Sequence, residues 1–164
     1  MSLTLEQKSI GYLTSQYRQP GTLQWIGIRP ERAADLKALP LVMALAGQGL
    51  EGDHYASKNG KRQVTLIQQE HIAAVASMLG MADIAPGLLR RNLVVNGLNL
   101  LALKDKKFQI GEAVFEYTGL CHPCSRMEEN LGEGGYNAMR GHGGITARIL
   151  ESGEISLDNS LHVL

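Results

Sequence analysis

Cysteine and aromatic residues are scarce in this chain of 164 residues, and its formal net charge is zero. Two cysteines are too few for the disulfide framework of a secreted domain. The 16 basic and 16 acidic side chains cancel, so the overall charge does not favour a nucleic-acid backbone as a partner. No apolar run approaches the ~20 residues of a membrane-spanning helix, and the first residues are too polar for a signal peptide. We therefore expect a cytoplasmic protein with reduced thiols that binds neither nucleic acid nor membrane.

The spacing of apolar and turn-forming residues predicts one mainly β domain. Short strand patterns are separated by turn residues every eight to twelve positions, and one clear amphipathic helix covers residues 68–79. The predicted strands cover residues 22–29, 62–67, 92–95, 108–110, 113–118, 144–150, 155–157 and 161–164. Strict alternation of strands and helices is missing, which disfavours a doubly wound sheet. The prediction is a mainly β (α+β) fold, a β-barrel with a few peripheral helices.

The predicted domain covers residues 22–164. Residues 1–21 are predicted to be an N-terminal extension, with a weak helical pattern over residues 5–17. Glycine is concentrated in residues 132–144, a segment predicted to be a loop that turns repeatedly or approaches another group closely.

Both cysteines belong to one motif, Cys121-His122-Pro123-Cys124. Residues 113–120 before it alternate like a strand, and residues 125–131 after it form about two helical turns that end at Gly132. A thiol at such a strand-to-helix junction lies near the positive end of the helix dipole, which favours the thiolate. A thiolate is both a nucleophile and a soft-metal ligand.

Three uses of this motif are open. A thioredoxin-like dithiol is disfavoured, because the following helix is short and no proline follows Cys124. A structural zinc site needs four ligands, and the five histidines supply no second pair at the usual spacing, although His122 or His142 would allow a mixed site. The third use is a single functional thiolate, with the other cysteine as a packed or helper residue.

Several short segments follow one another in an order that favours the third use. They are Gly49-Leu50-Glu51-Gly52-Asp53-His54, Arg62-Gln63-Val64-Thr65-Leu66-Ile67, Leu89-Arg90-Arg91-Asn92-Leu93-Val94-Val95-Asn96-Gly97, Gly111-Glu112-Ala113-Val114-Phe115-Glu116, Pro123-Cys124 and Gly143-Gly144-Ile145-Thr146-Ala147-Arg148-Ile149-Leu150. In this order, the series resembles the MOSC family, the domain that ends molybdenum-cofactor sulfurases and also occurs as small bacterial proteins. The resemblance runs from about Thr22 to the last residue.

The resemblance implies a MOSC-type β-barrel with one functional cysteine that binds molybdenum or carries sulfur. By motif position this residue is Cys124, whereas Cys121 has no counterpart and is interpreted as a small buried residue. The family's Arg-x-Asn, which contacts the phosphate and pyran region of the pterin in relatives, matches Arg90 and Asn92. A planar guanidinium binds phosphate through two parallel hydrogen bonds, which suits Arg90 to this role.

Further cofactor-binding candidates follow from the same resemblance. Asp53 and His54 match a Gly-Asp-x-His pattern of relatives, without its intervening residue, and Asp53 could equally hold a turn. Arg62 and Gln63 stand where relatives contact the cofactor, and they could equally be a pair on an edge strand. The glycine-rich segment 132–144, with Arg140, is expected to border the open face of the site as a mobile cover.

The resemblance also implies a function. Similar small proteins are associated with the reduction of N-hydroxylated bases, a two-electron step that needs the molybdenum cofactor (molybdopterin), a small-molecule substrate and an electron-donor protein. The chain has no counterpart of the second barrel domain of larger amidoxime-reducing relatives, so the site is expected to be more open or closed by a partner. The alternatives are a persulfide carrier that uses Cys124 and a non-enzymatic carrier of molybdopterin. The substrate and the oligomeric state cannot be predicted from the sequence.

Overall fold

The computed structural model describes residues 2–54 and 59–164, so Met1 of the predicted extension lies outside the described residues. The strands are β1 (Gly21–Ile28), β2 (Lys37–Ala38), β3 (Leu41–Leu45), β4 (Gly49–Leu50), β5 (Val64–Gln68), β6 (Leu93–Asn96), β7 (Lys107–Ile110), β8 (Ala113–Leu120), β9 (Ile145–Glu151), β10 (Gly153–Ser156) and β11 (Ser160–Val163). The helices are α1 (Ile10–Leu13), α2 (Gln69–Met78), α3 (Ser125–Leu131) and α4 (Gly135–Met139), and single 3-10 turns cover Leu5–Gln7, Pro86–Leu89 and Leu100–Leu103.

Seven of the described strands close a barrel. Its order is β11-β7-β8-β9-β5-β6-β1, and pairing of β1 with β11 closes the ring. All neighbours are antiparallel except β5 and β6, which are parallel and therefore need the crossover connection that contains α2. A smaller sheet of β10, β3 and β4 packs beside the barrel. The predicted mainly β fold with peripheral helices is confirmed.

Strand β5 is buried on both faces and contributes residues to two separate hydrophobic clusters. Val64 and Leu66 point into the barrel interior, where they join a cluster that includes the stacked rings of Phe108 and Phe115, 5.4 Å apart. Ile67, on the opposite face of the same strand, packs in a second cluster with α2, α3 and α4. A strand buried on both faces shows little alternation, as expected where a helix covers a sheet. The second cluster therefore fastens the helices to the outside of the barrel.

The glycine-rich segment 132–144 differs from the prediction of an irregular loop. It contains α4, whose Ala138 and Met139 are buried in the second cluster. Glu128 of α3 accepts hydrogen bonds from the backbone amides of Gly134 and Tyr136, at 3.0 and 2.9 Å, and so caps the beginning of α4. The glycines obscured a short helix that is held by packing and by a cap from another element.

The N-terminal segment forms less helix than its pattern suggested. Only the turn Leu5–Gln7 and the four-residue α1 are helical, and neither has a buried residue, so no packing extends them. The segment is attached through Tyr17, whose hydroxyl donates to the carbonyl of Ala102 at 2.7 Å. β1 begins at Gly21, and the domain boundary at residue 22 remains a prediction. Among the described residues, no helix is long and apolar enough to span a membrane.

Candidate functional site

Cys124 lies at the junction between β8 and α3 and opens into a cavity of about 210 Å³. Its side chain is exposed, whereas Cys121 is 2% exposed. Cys124 is the N-cap residue of α3, but its side chain makes no capping hydrogen bond. The two thiols are therefore unequal, and only Cys124 is accessible to a ligand.

Arginine dominates the walls of this cavity. Six of the nine arginines in the chain line it, together with Ala33, Cys124 and Met127; they are Arg29, Arg32, Arg62, Arg90, Arg91 and Arg126. They come from the end of β1 and the loop after it, the approach to β5, the connection before β6, and the first turn of α3. Among the described residues, no carboxylate lines the cavity. In a chain of zero net charge, this concentration of guanidinium groups gives the cavity the chemistry that attracts anions.

Arg91 forms the buried base of the cavity and is 4% exposed. Its Nε donates to the carbonyl of Gly143 at 2.8 Å and its Nη1 to that of Leu89 at 2.9 Å. Its Nη2 donates to the carbonyls of Cys121 and His122, at 3.3 and 3.5 Å. Burial lowers the pKa of Arg91, and the adjacent Cys121 thiol acts in the opposite direction. The Arg91 side chain thus holds the cysteine-containing loop in place through the backbone carbonyls of that loop.

Two glycines let three chain segments meet behind Cys124. A Cβ at Gly143 would overlap the carbonyl oxygen of Cys121, and one at Gly144 would overlap that of Leu66. Gly144 also has a φ of +85°, which L side chains rarely adopt. The carbonyl of Gly144 accepts a hydrogen bond from the Cys121 amide at 2.8 Å. These glycines serve close packing of the cysteine loop.

Asn92 is buried beside the cavity and joins several backbone segments. Its Oδ1 accepts from both the amide and the hydroxyl of Thr65 at 3.1 Å. Its Nδ2 donates to the carbonyl of Gly27 at 3.1 Å and to Asp53 Oδ2 at 3.4 Å. The other Asp53 oxygen accepts from the amide of Arg29 at 2.8 Å. Asn92 and Asp53 are only 1% and 5% exposed, so both side chains hold the ends of β1, β5 and β6 together.

Three further candidates lie outside the cavity wall. The Oε1 of the buried Gln63 accepts from the Ile149 amide at 2.8 Å, which ties β5 to β9. His54 is exposed, and its amide donates to the carbonyl of Arg29. Arg140 is exposed immediately after α4. The structure therefore brings Cys124, Arg62 and Arg90 together, and the predicted cofactor contacts of the other candidates remain predictions.

Sequence reasoning missed four arginines of the cavity: Arg29, Arg32, Arg91 and Arg126. They come from three separate places in the chain, and only the closed barrel brings them together. A weak signal existed, since Arg126 follows Cys124 by two positions and Arg91 adjoins a predicted ligand residue. Apart from this proximity in the chain, nothing local distinguishes such arginines from ordinary surface charges.

Two other cavities formed by the described residues lack this combination of groups. A cavity of about 640 Å³ lies across α3 and α4, with the carboxylates of Glu128 and Glu133 in its wall and no thiol or guanidinium. An apolar cavity of about 160 Å³ lies on the other side of the cysteine loop, against Leu120 and Pro123. In the part of the chain that the structure describes, no three His, Cys, Asp or Glu side chains are grouped to hold a metal, so the zinc interpretation gains no support.

The sequence model of the MOSC domain matches residues 47–162, which is well over half of the chain. The chain belongs to the MOSC domain family. Among curated proteins, no significant match is found.

Solved structures have the same fold. The YUAD protein from Bacillus subtilis superposes with a TM-score of 0.79 at 17% identity, over 88% of this chain and 96% of that one. YiiM from Geobacillus stearothermophilus gives 0.69 at 18% identity, over 88% and 75% of the two chains. YiiM from Escherichia coli gives 0.67 at 19% identity, over 87% and 69%. At these identities the likeness establishes the fold.

MOSC domains are associated with binding of the molybdenum cofactor, and the groups in the Cys124 cavity suit it. An accessible thiol is a soft ligand of the kind that binds redox-active metals, and guanidinium groups suit the phosphate of a pterin cofactor. The cavity volume of about 210 Å³ lies below the ~300–1,000 Å³ of sites that enclose whole organic ligands. The cavity is therefore smaller than a site that would enclose a whole organic cofactor.

Proposed function

We propose that this MOSC protein binds the molybdenum cofactor in the Cys124 cavity and reduces N-hydroxylated compounds. One observation carries the proposal: the accessible thiol of the chain opens into a cavity lined by six arginines. A thiolate is a suitable ligand for molybdenum, and the surrounding positive charge favours an anionic cofactor.

The surrounding residues have distinct parts in this proposal. Arg90 and Arg62 would bind the phosphate end of the pterin, since both line the cavity. Arg91 would position Cys124 indirectly, because it holds the backbone of the preceding residues. Asn92 and Asp53, both buried, would keep the surrounding strands in place through their hydrogen bonds to each other and to Gly27.

The bound cofactor would supply two-electron redox chemistry. An N-hydroxylated substrate takes up two electrons and two protons, its N–O bond breaks, and the products are the amine and water. The electrons would come from an electron-donor protein, for which the incomplete enclosure of the site leaves access. The substrate would be a small molecule that reaches the same open side.

A persulfide carrier is the main alternative, and it would also use Cys124. Transfer of sulfur requires an accessible thiolate, but it gives no reason for six guanidinium groups around a cavity. A non-enzymatic molybdopterin carrier would use the same residues as the reductase. Bound molybdenum distinguishes the reductase and the carrier from the persulfide protein, and turnover distinguishes the reductase from the carrier.

The test compares two cysteine variants purified from a host that makes the cofactor. Cys124→Ser is expected to lose molybdenum and reductase activity while its free energy of unfolding changes by less than about 0.5 kcal/mol, because the residue is exposed. Cys121→Ser is expected to keep its molybdenum and to lose about 1–3 kcal/mol of stability, because it buries a hydroxyl. The measurements are metal content by mass spectrometry, reduction of an N-hydroxylated base with a chemical reductant, and urea unfolding. Full molybdenum content in Cys124→Ser would refute the proposed ligand.

A further inference from the structure

Two histidines from different elements meet on the helical side of the barrel. His71 lies on α2, and His142 lies in the connection between α4 and β9. Their ring centroids are 4.9 Å apart, at an interplanar angle of 87°, and both side chains are half-buried. Histidine is the side chain whose ordinary pKa lets it change charge between about pH 5 and pH 8. The contact therefore joins two titratable rings across two elements.

One hydrogen bond determines which nitrogen of His142 takes up a proton. Its Nδ1 lies 3.2 Å from the carbonyl oxygen of Ala138 in α4. A carbonyl oxygen only accepts, so Nδ1 carries a hydrogen and donates it. Acidification therefore protonates Nε2, and the hydrogen bond to α4 is compatible with both charge states of the ring.

The surroundings of His71 disfavour its charged form. Burial lowers the pKa of His71, the neighbouring His142 ring lowers it further, and Glu70 on the same helix acts in the opposite direction. The Glu70 carboxylate also accepts a hydrogen bond from the Gly97 amide at 2.9 Å. On the other element, Arg140 is exposed two positions before His142 and adds positive charge. Two protonated rings at 4.9 Å repel each other, so the contact accommodates neutral rings better than charged ones.

The segment that carries His142 packs directly against the cysteine loop. The carbonyl of Gly143 accepts a hydrogen bond from Arg91 at 2.8 Å, and a Cβ at Gly143 would overlap the carbonyl oxygen of Cys121. The carbonyl of Gly144 accepts a hydrogen bond from the Cys121 amide at 2.8 Å. A displacement of His142 therefore reaches the cysteine loop within two residues.

We propose that His71 and His142 form a pH-sensitive contact that holds the connection between α4 and β9 against α2 and releases it, together with the cysteine loop, on acidification. When the contact opens, both rings face water and titrate near the ordinary value of about 6.5. As the pH falls, the open state binds more protons than the closed state. The contact is therefore fully stable above about pH 6.5 and is lost as the pH falls through the lowered pKa of His71. Neither ring lines the Cys124 cavity, and the contact operates without a bound cofactor.

The first experiment follows the histidine ring protons of the cofactor-free full chain by NMR between about pH 8 and pH 5. His71 is expected to titrate below the ordinary value, and His142→Gln is expected to raise the pKa of His71, because the variant removes a neighbouring positive charge. His162→Gln is the matched control, since His162 is exposed on β11 and should leave the titration of His71 unchanged. An unchanged titration of His71 in His142→Gln would overturn the proposal.

The second experiment measures hydrogen exchange of the Cys121 amide, which is bonded to Gly144, at about pH 7.5 and about pH 5, corrected for the intrinsic exchange rate. The wild type and His162→Gln are expected to lose protection several-fold at the lower pH. His71→Gln/His142→Gln carries neither charge and should keep its protection.

Two results of the second experiment would overturn the proposal. Equal protection of the wild type at both pH values would show that the cysteine loop does not respond to the ring contact, and this comparison needs no variant. An equal loss of protection in His71→Gln/His142→Gln would show that other groups cause the response. Because the cofactor-free chain is used throughout, neither result bears on the proposed function.

Discussion

Two groups of polar residues lie at or next to the Cys124 cavity, and they differ in what their side chains already contact. We call Arg91, which lines the cavity, and the hydrogen-bonded pair Asn92 and Asp53, which does not line it, the floor; these side chains are at most 5% exposed and are hydrogen-bonded within the protein. We call Arg32, Cys124 and Arg126 the rim; these side chains reach the cavity without a hydrogen-bond partner among the described residues. A buried polar group must be satisfied by the protein itself, whereas a group at the rim can bind a ligand.

One sequence motif contains residues with two different physical roles. Arg90, Arg91 and Asn92 are consecutive, yet Arg90 is half-buried in the cavity wall with a left-handed backbone (φ +58°), whereas its two neighbours are at most 4% exposed. The side chains of Arg91 and Asn92 each make several hydrogen bonds to buried backbone groups. Substitutions in the floor should therefore act on stability, and substitutions facing the ligand should act on binding.

The largest effect is expected for Arg91→Ala. The substitution leaves buried carbonyl groups without a donor and releases the cysteine loop, so the free energy of unfolding should fall by about 3–5 kcal/mol. Urea unfolding of the cofactor-free protein measures it. Arg126→Ala at the rim should change the same quantity by less than about 0.5 kcal/mol. Equal losses in both variants would remove the distinction between floor and rim.

A slightly smaller loss is expected for Asn92→Leu. The Thr65 amide, the Gly27 carbonyl and one oxygen of Asp53 all lose their partner, which should cost about 2–4 kcal/mol. Thr65→Val removes one hydroxyl of the same network and should cost about 1 kcal/mol. Thermal or urea unfolding ranks the two variants. A stable Asn92→Leu that loses only cofactor affinity would instead make Asn92 a ligand-binding residue.

Arg90→Lys should affect binding more than stability. It keeps the charge but loses the planar pair of donors, so affinity for molybdopterin should fall by about ten- to a hundredfold. Fluorescence titration of the cofactor-free protein measures this, and Arg18→Lys controls for an exposed arginine outside the cavity. The free energy of unfolding should change by less than about 1 kcal/mol. Unchanged affinity would exclude Arg90 from the site.

The smallest effect concerns Glu128, which lies away from both groups and caps α4. Hydrogen bonds from the backbone amides of Tyr136 and Gly134 lower the pKa of Glu128. A carboxyl whose pKa is lowered by folding stabilises the protein above its unfolded value of ~4.3, and the gain is lost as pH falls through the folded value. Glu128→Gln should therefore reduce stability at pH 7, and its difference from the wild type should shrink below about pH 4. Glu129→Gln, the neighbouring exposed carboxyl, is the control. A difference that does not change with pH would mean that the cap needs no charge.

Much of the secondary structure could be predicted because its causes are local. The helix after Cys124 covers the predicted residues, Ser125–Leu131, and ends at Gly132 as the sequence indicated. The helix predicted over 68–79 is α2, Gln69–Met78. Both follow from apolar spacing and a stop residue. By contrast α4 could not be predicted, because its cap comes from Glu128 on another helix and its buried face depends on α2.

Only a few residues of the site could be predicted from the sequence. The motif order identified Cys124 and Arg90, and the structure brings both to one cavity with Arg62. The motif order could not show that the polar atoms of Asn92 and Asp53 find hydrogen-bond partners inside the protein, because those partners lie in segments distant in the chain. It also gave no reason to group Arg32 with Arg126.

The sequence by itself determined the mainly β fold and the single motif that holds both thiols, since turn spacing, apolar alternation and the Cys-x-Pro-Cys segment are properties of neighbouring residues. Only the tertiary structure decided which arginines face the cavity. Closure of β1 onto β11 and the crossover from β5 to β6 carry residues 29, 62, 91 and 126 to one place. The positive charge gathers there because tertiary packing brings together residues that are far apart in the sequence. The local sequence around an arginine does not determine which other arginines will be its neighbours.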